Sequence, residues 1–593
     1  MIGSPLALLR LLLLALSLLC ALQVLRGTKY ADASARALLS AGDLVLSLLL
    51  AALLGGAAAG SWLLLVVVAL PTLGLFFVTW LDAALYRVFT FELGLGGVRD
   101  VVLSNLVAEV FQMRSARRFF RSQPGFTLLP LLLLLAVLAA VVPQASRLSL
   151  LLQVLALSGL AVSCQPGTLL TRARRAAVDR RALWLELTRP RRPRHLPGFQ
   201  LRPEHAALLR PHRAPSQVSP LHGRLAGASV VLLTFESLAA RHAKTAAAQL
   251  PFLSQLAQHP HTIRSDYHLS PAPLTNVAHL ALYLGCASAR LAMSRPPPDP
   301  GLARLARAGY RCVYLTTADT AHYGLSQILA AAGFQQIVDG PRLSRDRRGV
   351  GQPVWDSQLG QGGLAQLIAI LSAHAGPYFL HVHARNAHVP YYVEDRRRFA
   401  DRDLADDRTR FLTAQEETDG FFAALYDALR ALSAQRGEPR QAPLLLVSSD
   451  HGQSFGEGGY HSHGSAVTVE QTVVPWLLHH PLLPTATLPF STHFDVLPTV
   501  LDLLGLPSES GLGWPLLTAP RPTGLLLHDG QPSRPTSSCL GLLLDHEKYV
   551  LDLVRDTLLR SSWDDAQATP VTGAERRYME ALIAHLAEEQ RLL

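Results

Sequence analysis

The strongest constraint on this chain is that its first 170 residues carry few charges and are dominated by Leu, Ala and Val, whereas the remainder has an ordinary globular composition. Five apolar runs stand out, at residues 6–25, 38–54, 62–81, 127–145 and 148–164. A helix needs about 20 apolar residues to cross a bilayer, and about 17 at the least. The runs therefore predict an N-terminal transmembrane domain of five helices over residues 1–170. Further spans follow the first run, which predicts a retained helix rather than a cleaved signal peptide. A turn of small residues separates the second and third runs, as in a helical hairpin. Between the third and fourth, "VRDVVLSNLVAEVFQMRSARRFF" mixes apolar and basic positions at helical spacing. It reads either as a helix lying in the membrane interface or as an ordinary connecting helix.

The chain has 593 residues, too many for one ordinary domain. Its net charge of +10 is local: residues 171–194 hold nine arginines against Asp179 and Glu186. A basic run directly after apolar segments fits an anionic membrane surface. No nucleic-acid motif or aromatic–basic interleaving accompanies it, so no nucleic-acid partner is expected. Residues 171–224, rich in Arg and Pro, read as a linker, and 225–593 as a soluble domain. Arg and Lys also gather in 26–36 and 82–126, and the positive-inside rule would put all three basic segments on the cytoplasmic side. Of five cysteines, Cys20 and Cys164 sit in apolar segments, leaving Cys286, Cys312 and Cys539. That is neither a disulfide framework nor a CxxC metal site; Cys286 and Cys312 read as two buried thiols, with a single bridge between them as the alternative.

From residue 228 the pattern changes. Short apolar, β-branched runs at 228–237, 310–317, 378–384, 443–449 and 472–480 alternate with helix-like stretches such as 301–309, 363–374 and 418–435. Strands alternating with helices predict an α/β domain with a mainly parallel sheet, whose ligands sit beyond the carboxyl ends of the strands. Polar residues gather at those ends: Glu236 after the first run, Asn386 and His388 after the third, Asp450 and His451 after the fourth. Carboxylates with imidazoles and no thiolate suit Zn²⁺ or Mn²⁺. An Asp-His-Gly tripeptide by itself can equally cap a strand. "SPAPLTNVAHLALYLG" (270–285) offers Ser270 and Thr275 as hydroxyl nucleophiles. Thr275 opens a helix-like segment, so it reads either as an N-cap or as a hydroxyl at an anion-favouring helix N-terminus.

Taken together, "VVLLTFESL", "LTNVAHLALYLG", "NAHVPYY", "SSDHGQSFGEGGYHSHG" and "FDVLPTVLDLLGLP" resemble the sulfatase-like branch of the alkaline phosphatase superfamily over about residues 226–520. With the preceding apolar spans, the chain looks like the lipoteichoic-acid synthases and lipid A phosphoethanolamine transferases. The resemblance implies an alkaline phosphatase-like α/β fold and one divalent metal, Zn or Mn, with a second as an option. It implies metal ligands Glu236, Thr275, Asp450 and His451, with Thr275 also the nucleophile. His388 and His463 are implied to contact substrate. His461 is left as a solvated loop histidine, and the charge run 394–410 as a solvated surface. The implied activity is transfer of a phosphoethanolamine- or phosphoglycerol-type head group from a membrane phospholipid to an envelope glycolipid or glycan, through a phospho-Thr intermediate. The implied location is a bacterial-type cytoplasmic membrane with the catalytic domain outside it, against the arginine distribution. A sulfatase-like hydrolase or phosphodiesterase is the rival enzyme. Thr275 argues against a sulfatase, because those enzymes modify a Cys or Ser at this place. A non-catalytic lipid-sensing regulator is the rival of a different class.

Overall fold

The computed structural model describes residues 12–22, 25, 47–54, 62–89, 113–141, 154–158, 192–210, 218–288, 301–321, 324–344, 356, 364–437, 442–508, 512–518, 522–529, 537–553 and 555–592. The chain divides into two compact units, Met1–Arg191 and Arg192–Leu593.

In the N-terminal unit, helix α1 (Trp62–Phe89) contains a stretch, Val66–Leu85, long and apolar enough to cross a membrane. Helices α2 (Arg114–Ser122) and α3 (Pro124–Val141) meet at a bend of 72° between Ala116–Ser122 and Pro124–Val137. Leu14, Leu18, Phe76, Phe126 and Leu133 join in one apolar cluster. Val67, Leu70 and Phe77 of α1 and Leu128 and Leu131 of α3 instead remain exposed.

Five transmembrane helices are not supported. Among the described residues one helix passes the length and composition test, or two if the bent pair is a single span. Of the first expected span, the apolar helix Leu12–Leu22 and Leu25 are described, and the remainder lies outside the described residues. Only 47–54 of the second and 154–158 of the fifth are described, both helical, and the remainder of each lies outside the described residues. The fourth span begins at Pro124, after the bend. Most of the arginine-rich stretch 171–194 also lies outside them.

The C-terminal unit is built on an eight-stranded sheet of β1 (Val230–Phe235), β2 (Thr262–Ser265), β3 (Arg311–Thr316), β4 (Gln336–Val338), β5 (Tyr378–His383), β6 (Leu444–Ser449), β7 (Trp476–His479) and β8 (Ala486–Leu488), in the order β8-β2-β7-β6-β1-β5-β3-β4. From β6 to β4 the strands run parallel. They are buried on both faces, which is why they read as unbroken apolar runs. The last expected run, 472–480, is not one parallel strand. Pro475, which has no N–H to give a ladder, divides it into Val473–Val474 and β7, and β7 lies antiparallel to β6. The sheet is therefore mixed.

Register positions the strand ends. Thr234 pairs with His383 on one side and Ser448 on the other. Glu236 and Asp450, each two residues further on, thus emerge level with each other beside His383.

Helix α4 (Thr275–Leu284) ends at Gly285, whose φ of 61° is a left-handed cap that glycine adopts without strain. A five-stranded antiparallel sheet, Leu525–His528 to Thr569–Pro570, packs with the helix Gly573–Glu589. Phe199, Leu201, Leu208 and Leu209, from the Arg/Pro-rich stretch, pack against that cluster. Arg210 is buried and grips Asp495 through two nitrogens at 2.9 and 3.2 Å. Cys286, Cys312 and Cys539 are buried free thiols. Burial pushes Cys286 up to about 11 and Cys312 to about 12, so neither is a ready nucleophile.

Candidate active site

Glu236, Asp450, His451 and His383 converge at the carboxyl ends of β1, β5 and β6, all buried. The Thr275 hydroxyl donates to Asp450 Oδ2 at 2.7 Å and lies 3.4 Å from His451 Nε2. His451 Nε2 lies 3.3 Å from Asp450 Oδ2 and 3.9 Å from Glu236 Oε1. His383 Nε2 stands 3.4 Å from Glu236 Oε2 and 3.5 Å from Asp450 Oδ2. Thr275 is only half-buried, so its oxygen is reachable from outside a buried anionic floor. It is the first residue of α4, while the cap position is Leu274. Its hydroxyl is turned to Asp450 instead of closing the helix end. Ser270, the other candidate hydroxyl, donates to Ala272 within its own turn at 2.9 Å.

The backbone around this cluster is tight. Ser237 holds φ at 60°, an uncommon conformation for a residue with a Cβ. From there its N–H donates to Asp450 Oδ1 at 2.9 Å and its hydroxyl to Glu236 Oε1 at 2.6 Å. A Cβ on Gly452 would sit 2.1 Å from the Glu470 carbonyl oxygen, so this glycine serves close packing rather than a left-handed turn.

Histidine tautomers follow from what each ring faces. His451 Nδ1 lies 3.0 Å from the Gly452 carbonyl, so it carries the hydrogen and Nε2 is the lone-pair nitrogen. His279 Nδ1 donates to the Thr275 carbonyl at 2.6 Å, leaving its Nε2 to accept from Tyr314 at 3.0 Å. The Tyr314 oxygen then accepts from His383 Nδ1 at 3.3 Å. In neutral His383, Nε2 is therefore also a lone pair, and it has no hydrogen-bond partner of its own. Ser237 and the His451 N–H serve Asp450 Oδ1 and Glu236 Oε1. The other carboxylate oxygens, Asp450 Oδ2 and Glu236 Oε2, and the two imidazole lone pairs converge with, among the described residues, only the Thr275 hydroxyl donating to them, an arrangement that favours a cation. With no metal, a proton on His383 plays that part. Burial opposes it, but hydrogen bonds to Asp450 and Glu236 and their charges push His383 up to about 10. Burial and the Asp450 charge raise the Glu236 carboxyl, yet His383 and His388 outweigh them and bring it to about 2. Burial likewise raises Asp450, but the His451 and His383 charges hold it well below the usual carboxylate range. Ligand atoms of Glu236, His383 and Asp450 all lie within 4.8 Å of one another, a spacing that fits a metal ion. The donor set of carboxylates and imidazoles suits Zn²⁺ or Mn²⁺.

The other expected residues stand beside this floor. The ring centroids of His451 and His463 are 4.5 Å apart, and those of His388 and His463 are 5.9 Å apart. His388 Nδ1 donates to the Val389 carbonyl at 3.0 Å, and His463 Nδ1 faces Gln453 Oε1 at 2.8 Å. His461 is exposed. Within 394–410, Arg398 and Arg402 pair with Glu416, while Arg410 turns inward to the Pro390 carbonyl at 3.1 Å. Sequence reasoning missed His383, His279 and Tyr314. His381 and His383 alternate along β5 with period two, which puts both on one face, and His383 closes the strand. That spacing was the available signal.

Residues 228–506 match the sulfatase family. No curated protein matches the chain. Among solved structures, it is similar to the lipoteichoic acid synthase LtaP of Listeria monocytogenes, at 15% identity over 63% of this chain and 96% of that one, with a TM-score of 0.45. It is similar to a protein in the alkaline phosphatase superfamily from Vibrio parahaemolyticus, at 17% identity over 65% and 92%, TM-score 0.49. A third is the C-terminal periplasmic domain of EcEptC from Escherichia coli, solved in complex with Zn, at 14% identity over 56% and 96%, TM-score 0.41.

Proposed function

Taking residues 228–506 as a sulfatase-family domain of the alkaline phosphatase superfamily, we propose that this chain is a membrane-bound, metal-dependent transferase. It moves a phospholipid-derived phospho head group, of phosphoethanolamine or phosphoglycerol type, to a hydroxyl acceptor on an envelope glycolipid or glycan. The observation that carries the reading is the half-exposed Thr275 hydroxyl, held 2.7 Å from Asp450 at the first residue of α4, over the buried Glu236–His383–Asp450–His451 cluster. Glu236, Asp450, His451 and Thr275 would hold the ion, and His383 stands beside Glu236 and Asp450 at 3.4 and 3.5 Å. When bound, a divalent ion supplies positive charge that favours a deprotonated hydroxyl and offsets charge on phosphoryl oxygens.

Asp450 holds the Thr275 oxygen in one orientation, and the first turn of α4 favours the negative charge of a phosphate there. In the first half-reaction a bond forms from Thr275 Oγ1 to phosphorus, the bond from phosphorus to the glycerol oxygen breaks, and diacylglycerol leaves with a proton. In the second, an acceptor hydroxyl attacks the phospho-Thr, gives up its proton and frees Thr275. His388 and His463 each commit Nδ1–H to an oxygen, so in the neutral state each presents Nε2 as an acceptor. That suits them to take a proton from an incoming hydroxyl.

The full chain, incubated with phosphatidylethanolamine or phosphatidylglycerol and quenched in acid, should carry a phospho-head-group adduct on Thr275 by peptide mass spectrometry. An adduct elsewhere, or turnover undiminished in Thr275→Ala, removes the reading. Release of free phospho-head group to water, with no carbohydrate acceptor used at any concentration, would support the hydrolase. Lipid binding without turnover would support the lipid sensor.

A further inference from the structure

Helices α2 and α3 are joined by a built bend. Pro124 biases the residue before it away from helix, and Gln123 has φ −124° and ψ 65°. Ser122 Oγ donates to the Phe119 carbonyl at 2.9 Å, and Thr127 Oγ1 to the carbonyls of Phe120 and Gln123 at 2.7 and 3.0 Å. Of these, the Phe120 carbonyl is the one that Pro124, having no N–H, leaves without a helical partner; the Phe119 and Gln123 carbonyls also accept the Gln123 and Thr127 N–H groups at 3.1 and 2.9 Å.

The two sides of α2 differ. Ala116 is fully buried, and Phe119 and Phe120 pack against the unit's core. Trp80 of α1 lies 5.9 Å from Phe120 and 5.7 Å from Phe126, ring centroid to centroid, and its Nε1–H donates to the Phe126 carbonyl at 2.9 Å. On the other side Arg117, Arg118 and Arg121 are exposed, and among the described residues no carboxylate pairs with them. Three guanidinium groups on one face of a nine-residue helix, with no carboxylate against them among the described residues, repel one another unless an anion lies against them.

Geometry supplies the place for that anion. Transmembrane helices tilt about 20° from the bilayer normal. If α3 is embedded, a helix leaving it at 72° runs close to the membrane plane. Trp80 then sits at the junction, where tryptophan is favoured at head-group level.

We propose that α2 lies in the head-group layer of an anionic leaflet, with Arg117, Arg118 and Arg121 holding lipid phosphates. This rests on α3 being membrane-embedded, as the proposed function requires. The test is hydrogen–deuterium exchange of the full chain in nanodiscs of phosphatidylcholine alone and of phosphatidylcholine with phosphatidylglycerol. Amides of 113–122 should exchange more slowly when phosphatidylglycerol is present. The triple variant Arg117→Gln/Arg118→Gln/Arg121→Gln should lose that difference, keep its far-ultraviolet circular dichroism, and retain anionic lipid about fivefold less per arginine in native mass spectrometry. Protection of 124–141 in both discs is the separate check on embedding. If 124–141 exchanges freely, the embedded reading fails and this inference with it. If 124–141 is protected but 113–122 exchanges alike in both discs, or the triple variant behaves as wild type, the head-group assignment alone is overturned. Slowing produced by added RNA in neutral discs, and not by phosphatidylglycerol, also overturns it.

Discussion

Gln453 Oε1 accepts from His463 Nδ1 at 2.8 Å, while the same amide's Nε2 faces Tyr391 Oη at 3.1 Å and the Ser454 carbonyl at 3.3 Å. A carbonyl can only accept, so Ser454 settles which way the amide points and hence which histidine nitrogen carries the hydrogen. Burial, then the charges of His451 and His388, bring His463 down to about 3, so it is neutral across the working range. Gln453→Glu puts a carboxylate against Nδ1 and stabilises the imidazolium, by about one to three pH units for a charge this close. Nitrogen-15 NMR of labelled histidine should show His463 titrating at higher pH, and the acidic limb of the pH–rate profile should rise with it.

Metal content should follow the cluster. Asp450→Asn removes a charge shared by Thr275, His383 and His451, and elemental analysis should find most of the ion lost. His383→Ala should weaken retention less, because Glu236, Asp450 and His451 remain. Chelation of the wild type should lower the unfolding midpoint: an ion at about a hundred times its Kd contributes about 2.7 kcal/mol. An unchanged midpoint with full loss of metal would argue against the site.

Thr275→Ala should cost turnover by at least about a thousandfold, as loss of a nucleophile does, with stability nearly unchanged because the cap position is Leu274. Thr275→Ser should keep measurable activity. A variant that loses about 1 kcal/mol of stability but still cleaves phospholipid would restore the capping reading.

Arg210→Met leaves Asp495 charged and without its partner in a dry site. Breaking such a pair costs about 3–5 kcal/mol, and urea denaturation of the full chain should show it. The double variant Arg210→Met/Asp495→Leu should recover part of the loss, though Asp495 also caps its own helix through Thr492.

Stability should fall as acid is added. His279, His493 and His528 are brought down to about 3, 4 and 4, by burial above all. Below about pH 6.5 each binds a proton when unfolded but none when folded. Unfolding therefore takes up protons, and stability is present above pH 6.5 and is lost as pH falls toward the folded values. His528 lies away from the cluster, its Nε2–H donating to the Ala287 carbonyl at 2.7 Å. His528→Gln should flatten the slope by one proton, about 1.4 kcal/mol per pH unit, in unfolding curves taken between pH 4.5 and 6.5.

Much of this protein is local in origin and therefore legible in its sequence. An apolar run that stops at Glu236 or Asp450 marks a buried strand and its end, because a charge cannot stay between packed sheets without a partner. Thr275 ten residues before Gly285, and the histidines at 388, 451 and 463, were likewise visible as residue types at recognisable spacings. Other features depended on partners far apart in the chain. Whether Glu236 and Asp450 emerge level was decided by the register of Thr234 against His383 and Ser448. The lone pair on His383 was decided by a relay through Tyr314 and His279 to the Thr275 carbonyl, spanning three elements. The antiparallel course of Trp476–His479 and the burial of Arg210 against Asp495 arose the same way. Hydropathy could show which N-terminal segments avoid water, but not where Pro124 would end one helix and turn the next by 72°. Composition fixes what a segment can be buried in, while direction, tautomer and pairing are set by what the fold brings against it.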